Sequence, residues 1–291
     1  MQTGKDLIAV FGATGSQGGA TIHELLQAGH KVRAVTRKPE GDAAKALAAR
    51  GAEVVKADLD DAASLERALS GAWGVFAVQN TWEAGVEKEE EQGKRVADVA
   101  RRAGVRHYVY TSVASAHRRT GIPHFDNKWR VEERVRELKF PSWVIVRPVF
   151  FMENLLGPWF KPGIDAGTLA IGLEPDTPLQ MIAVADIGKY VKLAFEWHER
   201  LNGRAFDIAG DELTPVETAA ALTEVLGRKV THVQVPIEEV RKGSEDYALM
   251  LEWFDRVGYN VHIKSNAKEF GIAPTPFRAW AKQHFTVVAA R

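Results

Sequence analysis

The chain has 291 residues, 45% of them hydrophobic and 26% charged, with Lys+Arg and Asp+Glu both at 38 and a formal net charge of zero. This balance leaves no whole-molecule field for nucleic acid or an anionic membrane, and the absence of cysteine excludes disulfides, thiolate metal sites and cysteine nucleophiles. No apolar run reaches the roughly 18 residues of a membrane span. The stretch Met1 to Asp6 leads straight into a strand-like run without a signal-type apolar core, so a cytoplasmic location is expected.

In chain order, the first half alternates between two periods. Leu7 to Phe11 reads as a strand buried on both faces, closed by Gly12. A helix over Ala20 to Ala28 ends at Gly29, and a second strand runs from Lys31 to Thr36. Then follow a helix at 43–50, a strand at 53–57, a helix at 62–69 and a strand at 73–78. A long helix is expected over Glu83 to Ala103, a fifth strand over His107 to Thr111, a helix over Asn127 to Leu138 and a strand over Trp143 to Val146. Such alternation predicts an α/β fold, a Rossmann-type doubly wound parallel sheet.

Past Pro148 the rhythm loosens. Residues 150–178 are rich in Pro and Gly and read as loop. A helix at 185–197 and a strand at 205–209 follow. Thr214-Pro215-Val216-Glu217 has capping-box spacing, with proline at the first helical position of a helix that Gly227 ends. Residues 229–235 form a strand, and helices continue to the C-terminus. The expected organisation is a Rossmann domain at 1–155 and a smaller α/β lobe at 156–291. The two interleave, with 185–210 returning to the first sheet.

The chemistry-bearing motif is Gly12-Ala13-Thr14-Gly15-Ser16-Gln17-Gly18, set between the first strand and the first helix. In this G-x-x-G-x-x-G spacing Gly12 makes the tight turn, Gly15 lets a pyrophosphate approach the backbone, and Gly18 lets the helix pack closely on the sheet. The free N–H groups of Thr14 to Gly18 and the positive end of the helix dipole then face the phosphates. The second strand ends in Arg37-Lys38 with no acid, which favours the 2′-phosphate of NADP(H) over the free hydroxyl of NAD. Asp58 and Leu59 could receive the adenine, and Gln79-Asn80 lies at the carboxyl edge of the sheet, although ordinary turn chemistry also puts Asp and Asn at such points.

These residues, with Val35-Thr36-Arg37, Gly51 to Val55, His124 to Lys128 and Arg147 to Asn154, resemble the NmrA-like family, atypical members of the short-chain dehydrogenase/reductase superfamily. The resemblance covers nearly the whole chain and implies NADP(H) binding. Typical members of that superfamily use a Tyr-x-x-x-Lys pair and a Ser or Thr after the fifth strand. Here Thr111 and Ser112 stand after that strand and Lys128 takes the lysine position, but the residue four before it is His124. Lys128 fits a ribose-binding role without the tyrosine, and His124 is either the general acid or a residue that packs the loop or contacts the cofactor. The resemblance implies that Phe150, Phe151 and Asn154 border the nicotinamide pocket, with plain core packing the other reading of the two rings.

The remaining histidines show no zinc spacing, the run from Lys88 to Glu91 reads as a solvated helix face, and direct DNA binding lacks a basic stripe. Two functions follow. The leading expectation is a redox-sensing regulator that reads the NADP(H) pool through association with itself, as a homodimer, or with a protein partner. The alternative is an NADPH-dependent oxidoreductase of a quinone, ketone or imine.

Overall fold

A computed structural model describes residues 6–285. The chain divides into two compact units, each built from several segments. Of the described residues, the first comprises those up to Arg118 together with Pro123–Arg147 and Ile187–Phe206. The second comprises Arg119–Ile122, Pro148–Asp186 and the described residues from Asp207. The chain passes from the first to the second at Arg118/Arg119, Arg147/Pro148 and Phe206/Asp207.

The first unit is a Rossmann-type α/β fold, as its alternating periods predict. Its elements are β1 (Leu7–Val10), α1 (Ser16–Gln27), β2 (Lys31–Thr36), α2 (Asp42–Ala49), β3 (Glu53–Lys56) and α3 (Ala62–Leu69). They continue with β4 (Gly74–Ala77), α4 (Thr81–Ala84), α5 (Val86–Arg102), β5 (His107–Thr111), α6 (Pro123–Glu137) and β6 (Ser142–Pro148). The seven-stranded sheet runs Arg204–Ile208, β6, β5, β4, β1, β2, β3, and the neighbours from β6 to β3 pair in parallel. The order reverses between β1 and β4, which is where ligands of such sheets bind, outside the strand carboxyl ends.

The strands are apolar because both faces are covered. Leu65, Val96, Ala97, Tyr108, Val131 and Val135 form one core with α3, α5 and α6. The helix Val184–Glu196 comes so close to α1 that a Cβ on Gly188 would sit 2.7 Å from the Ala20 carbonyl oxygen.

The helix expected over 83–103 is two helices. Gly85 takes φ 87° and ψ 161°, an extended left-handed backbone that no helix continues through, and it separates α4 from α5. The helix expected from Asn127 begins at Pro123, a position where the missing N–H is harmless.

The second unit holds a three-stranded sheet in the order Asp211–Leu213, Leu179–Ile182, Phe150–Phe151, and a parallel pair of Thr231–Gln234 with Thr168–Ile171. Thus the stretch at 150–178, expected as loop, carries short strands and a helix at Lys161–Asp165. The capping box is present as read: Thr214 accepts from the Glu217 N–H at 3.1 Å, and Glu217 accepts from the Thr214 N–H at 2.9 Å. Gly227 ends that helix at φ 64°.

Candidate functional site

The glycine loop leaves the end of β1 and turns at Gly12, whose φ of 62° favours glycine. The Gly15 N–H closes the turn on the Gly12 carbonyl at 2.9 Å. A Cβ on Gly12 would lie 2.5 Å from a Val78 methyl, and one on Gly18 would lie 2.1 Å from the Gly12 carbonyl oxygen. The constraint on Gly18 is therefore the loop's own backbone rather than the sheet. Around Gly15 the only atom of the described residues that a Cβ would approach is that same carbonyl oxygen, at 3.3 Å. Thr14, Gly15 and Ser16 are exposed, and no side chain caps the start of α1. This leaves an open, uncapped helix N-terminus with its positive dipole end free for phosphate.

Arg37 and Lys38 are exposed just past β2. Arg37 is not idle: its guanidinium pairs with the Glu83 carboxylate on α4, which holds it further above its ordinary pKa. Asp58 and Leu59 sit in a turn after β3. The Asp58 carboxylate accepts from the Asp60 N–H at 2.9 Å, and the half-buried Leu59 packs against the core. Asn80 likewise serves its own turn, accepting from the Trp82 N–H at 3.1 Å to cap α4. Gln79 is different. It is buried, and neither its amide nitrogen nor its oxygen has a hydrogen-bond partner among the described residues. A buried amide left so costs free energy, which a ligand or ordered water would recover.

At the ends of β5 and α6 the structure brings several expected residues together. Thr111 Oγ1 donates to Gln17 Oε1 at 2.7 Å, joining the fifth strand to the glycine-loop helix. Ser112 beside it is buried, its hydroxyl without a hydrogen-bond partner among the described residues. His124 and Lys128 lie one turn apart on α6. The His124 ring is buried, tilted against the Trp82 indole at 5.5 Å between centroids and edge-on to Phe125.

Lys128 donates to Glu89 Oε1 at 2.6 Å. Glu89 is 1% exposed, and its second oxygen accepts from Asn127 Nδ2 at 2.9 Å and from the Thr81 hydroxyl. Burial pushes the Glu89 carboxyl up, but the Lys128 ammonium and the three hydrogen bonds outweigh it and hold the group below its ordinary range.

Glu89 corrects the expectation that Lys88 to Glu91 is only a solvated face. Its signal was in the register: Glu89, Gly93, Val96, Ala97 and Ala100 follow one helical stripe and are all buried. Thr81, Trp82, Glu83 and Asn127 were also not assigned from sequence. Phe150, Phe151 and Asn154 belong to the second unit. Phe150 and Phe151 form its short edge strand beside Met181 and Ile182, and Asn154 is exposed on a 3-10 turn. Tyr108 and Tyr110, on β5, are wholly buried; burial drives the Tyr110 phenol well above its ordinary pKa, and neither hydroxyl has a hydrogen-bond partner among the described residues.

A glycine loop closed on itself at a sheet's reversal point, an uncapped helix behind it and an arginine at the end of the second strand define a dinucleotide-binding Rossmann protein. The profile of the NmrA-like family matches residues 4–280, and the chain belongs to that family.

A Streptomyces griseus (4-alkanoyl-5-oxo-2,5-dihydrofuran-3-yl)methyl phosphate reductase is 31% identical, with 96% of this chain and 98% of that protein covered. An NmrA-like family domain-containing oxidoreductase of Malbranchea aurantiaca is also 31% identical, with 81% and 77% covered. Among solved structures, NmrA, a negative transcriptional regulator in complex with NADP, superposes with a TM-score of 0.79 at 24% identity, covering 97% of this chain and 96% of its own. An Escherichia coli NADPH-dependent quinone oxidoreductase complexed with NADPH gives 0.82 at 24%, covering 96% and 100%. No helix among the described residues is long and apolar enough to cross a membrane.

Proposed function

We propose that the protein is an NADPH-dependent oxidoreductase whose acceptor is a conjugated, electron-poor molecule of the quinone kind. Bound NADPH would supply a hydride from its nicotinamide. The chain's own residues account for the rest. The loop Gly12, Thr14, Gly15, Ser16, Gln17 and Gly18 with the α1 N-terminus takes the pyrophosphate. Arg37 and Lys38 take the 2′-phosphate, and Asp58 with Leu59 takes the adenine. Gln79, Asn80 and Thr111 line the edge toward the nicotinamide, and Lys128, immobilised by Glu89, holds its ribose. The unpartnered Gln79 amide and the exposed, uncapped turn at Thr14 to Ser16 both fit such a ligand.

The single observation behind the choice of acceptor is that no phenol accompanies Lys128. His124 stands in that place with its ring packed on Trp82, and Tyr108 and Tyr110 are sealed in the core. Hydride addition to an isolated ketone makes a strongly basic alkoxide that needs a positioned acid. Addition to a quinone spreads the charge over a conjugated system, and water can protonate the product. The relatives named as oxidoreductases and as a reductase support an enzyme over the regulator that the sequence alone puts first. A cytoplasmic setting accompanies this reading.

The regulator reading keeps one supporting observation. Trp82, at 62% exposure, presents an indole to solvent beside the site, a surface suited to a partner or a second copy. The test is a panel of quinones, conjugated enones and aliphatic ketones followed by NADPH absorbance. Turnover of quinones but not of aliphatic ketones is expected. Turnover of none would overturn the enzyme and leave the regulator.

A further inference from the structure

The short helix α4 meets three parts of the site through three consecutive residues. The Thr81 hydroxyl donates to Glu89, the carboxylate that holds Lys128. The Trp82 indole lies against the His124 ring. Glu83 pairs with Arg37, at the adenosine end of the site. Asn80 caps the helix at one end, and Gly85 joins it to α5 at the other.

The Arg37–Glu83 pair is at odds with a site built only for a phosphate. A 2′-phosphate and a carboxylate drawn to one guanidinium repel each other. A ribose 2′-hydroxyl, by contrast, donates to a carboxylate, the part that an acidic residue plays in NAD sites. Resting on the reading of this site as one for NADP(H), we infer that Glu83 sets cofactor selectivity. It competes with the 2′-phosphate for Arg37, and it takes the free 2′-hydroxyl of a cofactor that lacks the phosphate. The Arg37 and Glu83 side chains are 58% and 54% exposed, so their pair is weak and the phosphate displaces the carboxylate, at a reduced margin. The site therefore accepts both cofactors and prefers NADPH less than Arg37 alone would dictate.

The experiment is calorimetric titration of the full chain at low ionic strength with 2′,5′-ADP, NADPH and NADH, for the parent and for Glu83→Gln. Both side chains of the pair are exposed, so the variant keeps the fold. Glu83→Gln is expected to bind 2′,5′-ADP and NADPH about 3- to 10-fold more tightly, from one weak pair released and one like charge removed. Its affinity for NADH is expected not to rise. A Glu83→Gln protein that binds 2′,5′-ADP no more tightly than the parent overturns the inference, and the NADP(H) reading stands if Arg37→Asp still weakens NADPH. A parent that binds neither nucleotide removes both.

Discussion

Removing Glu89 tests whether the buried ion pair organises the site. Its carboxylate takes the Lys128 ammonium at 2.6 Å, the Asn127 amide at 2.9 Å and the Thr81 hydroxyl. Lys128 is itself only 13% exposed, so Glu89→Ala strands a cation that water reaches poorly. Breaking such a pair from one side costs about 3–5 kcal/mol. The two neutral donors left behind share that loss rather than adding fully to it, because the groups form one network.

For the double variant Glu89→Leu/Lys128→Met, which removes both charges, recovery of roughly half of the loss is expected. The coupling between the two positions should then be at least about 2 kcal/mol. The pair also carries a pH signature. Glu89 is depressed below its usual value of 4.5, so its contribution is complete above that pH and fades as the pH falls through the lower folded value. The parent's advantage over Glu89→Gln should therefore shrink on acidification. Urea melts across pH of the parent, Glu89→Gln, Glu89→Ala, Glu89→Leu, Lys128→Met, Glu89→Leu/Lys128→Met and Glu89→Ala/Lys128→Met measure all of this. A Glu89→Ala cost below about 1 kcal/mol, or the same cost when Lys128 is already Met, would refute the reasoning.

Three further outcomes follow from the geometry. Gly18→Ala places a Cβ 2.1 Å from the Gly12 carbonyl, so the loop and α1 must separate; a loss of about 1–3 kcal/mol and of nucleotide binding is expected, read by melting and calorimetry. Arg37→Asp should erase most of an NADPH-over-NADH preference of about 1.5–3 kcal/mol while leaving the melting temperature unchanged, and equal affinities in the parent would contradict the assignment. Thr214→Ala removes the reciprocal capping bonds and should cost about 1 kcal/mol, measurable by urea melts and without effect on cofactor affinity.

The glycine loop was legible because its context lies in the sequence beside it: an apolar strand before, a helix after, and a second strand ending in cations. The seven-stranded sheet followed from the same alternation. What escaped was the small sheet of the second unit. Leu179–Ile182 is a four-residue strand between Pro178 and Ala183, and its partners, Phe150–Phe151 and Asp211–Leu213, are shorter still. Segments of that length carry no period, and distant partners rather than local pattern make them strands. The break at Gly85 escaped for a related reason. A single glycine in a charged helical run reads as tolerable, and only its left-handed φ shows that the helix restarts there.

The sequence singles out Lys128, but its counter-ion was hidden in a run of like letters. In Val86 to Arg95 the charged residues outnumber the apolar ones, so hydropathy finds no face, and only the stripe continued by Gly93, Val96, Ala97 and Ala100 turns Glu89 inward. That placement bears on the missing tyrosine. A lysine lowers a neighbouring phenol's pKa by offering an uncompensated positive charge. Here a buried carboxylate balances the charge of Lys128, so the pair presents little net field to the position occupied by His124. The absence of the phenol and the presence of Glu89 then fit one arrangement: a lysine held by its hydrogen bonds in a fixed place, which under the proposed function suits an acceptor that takes hydride without a strong acid beside it.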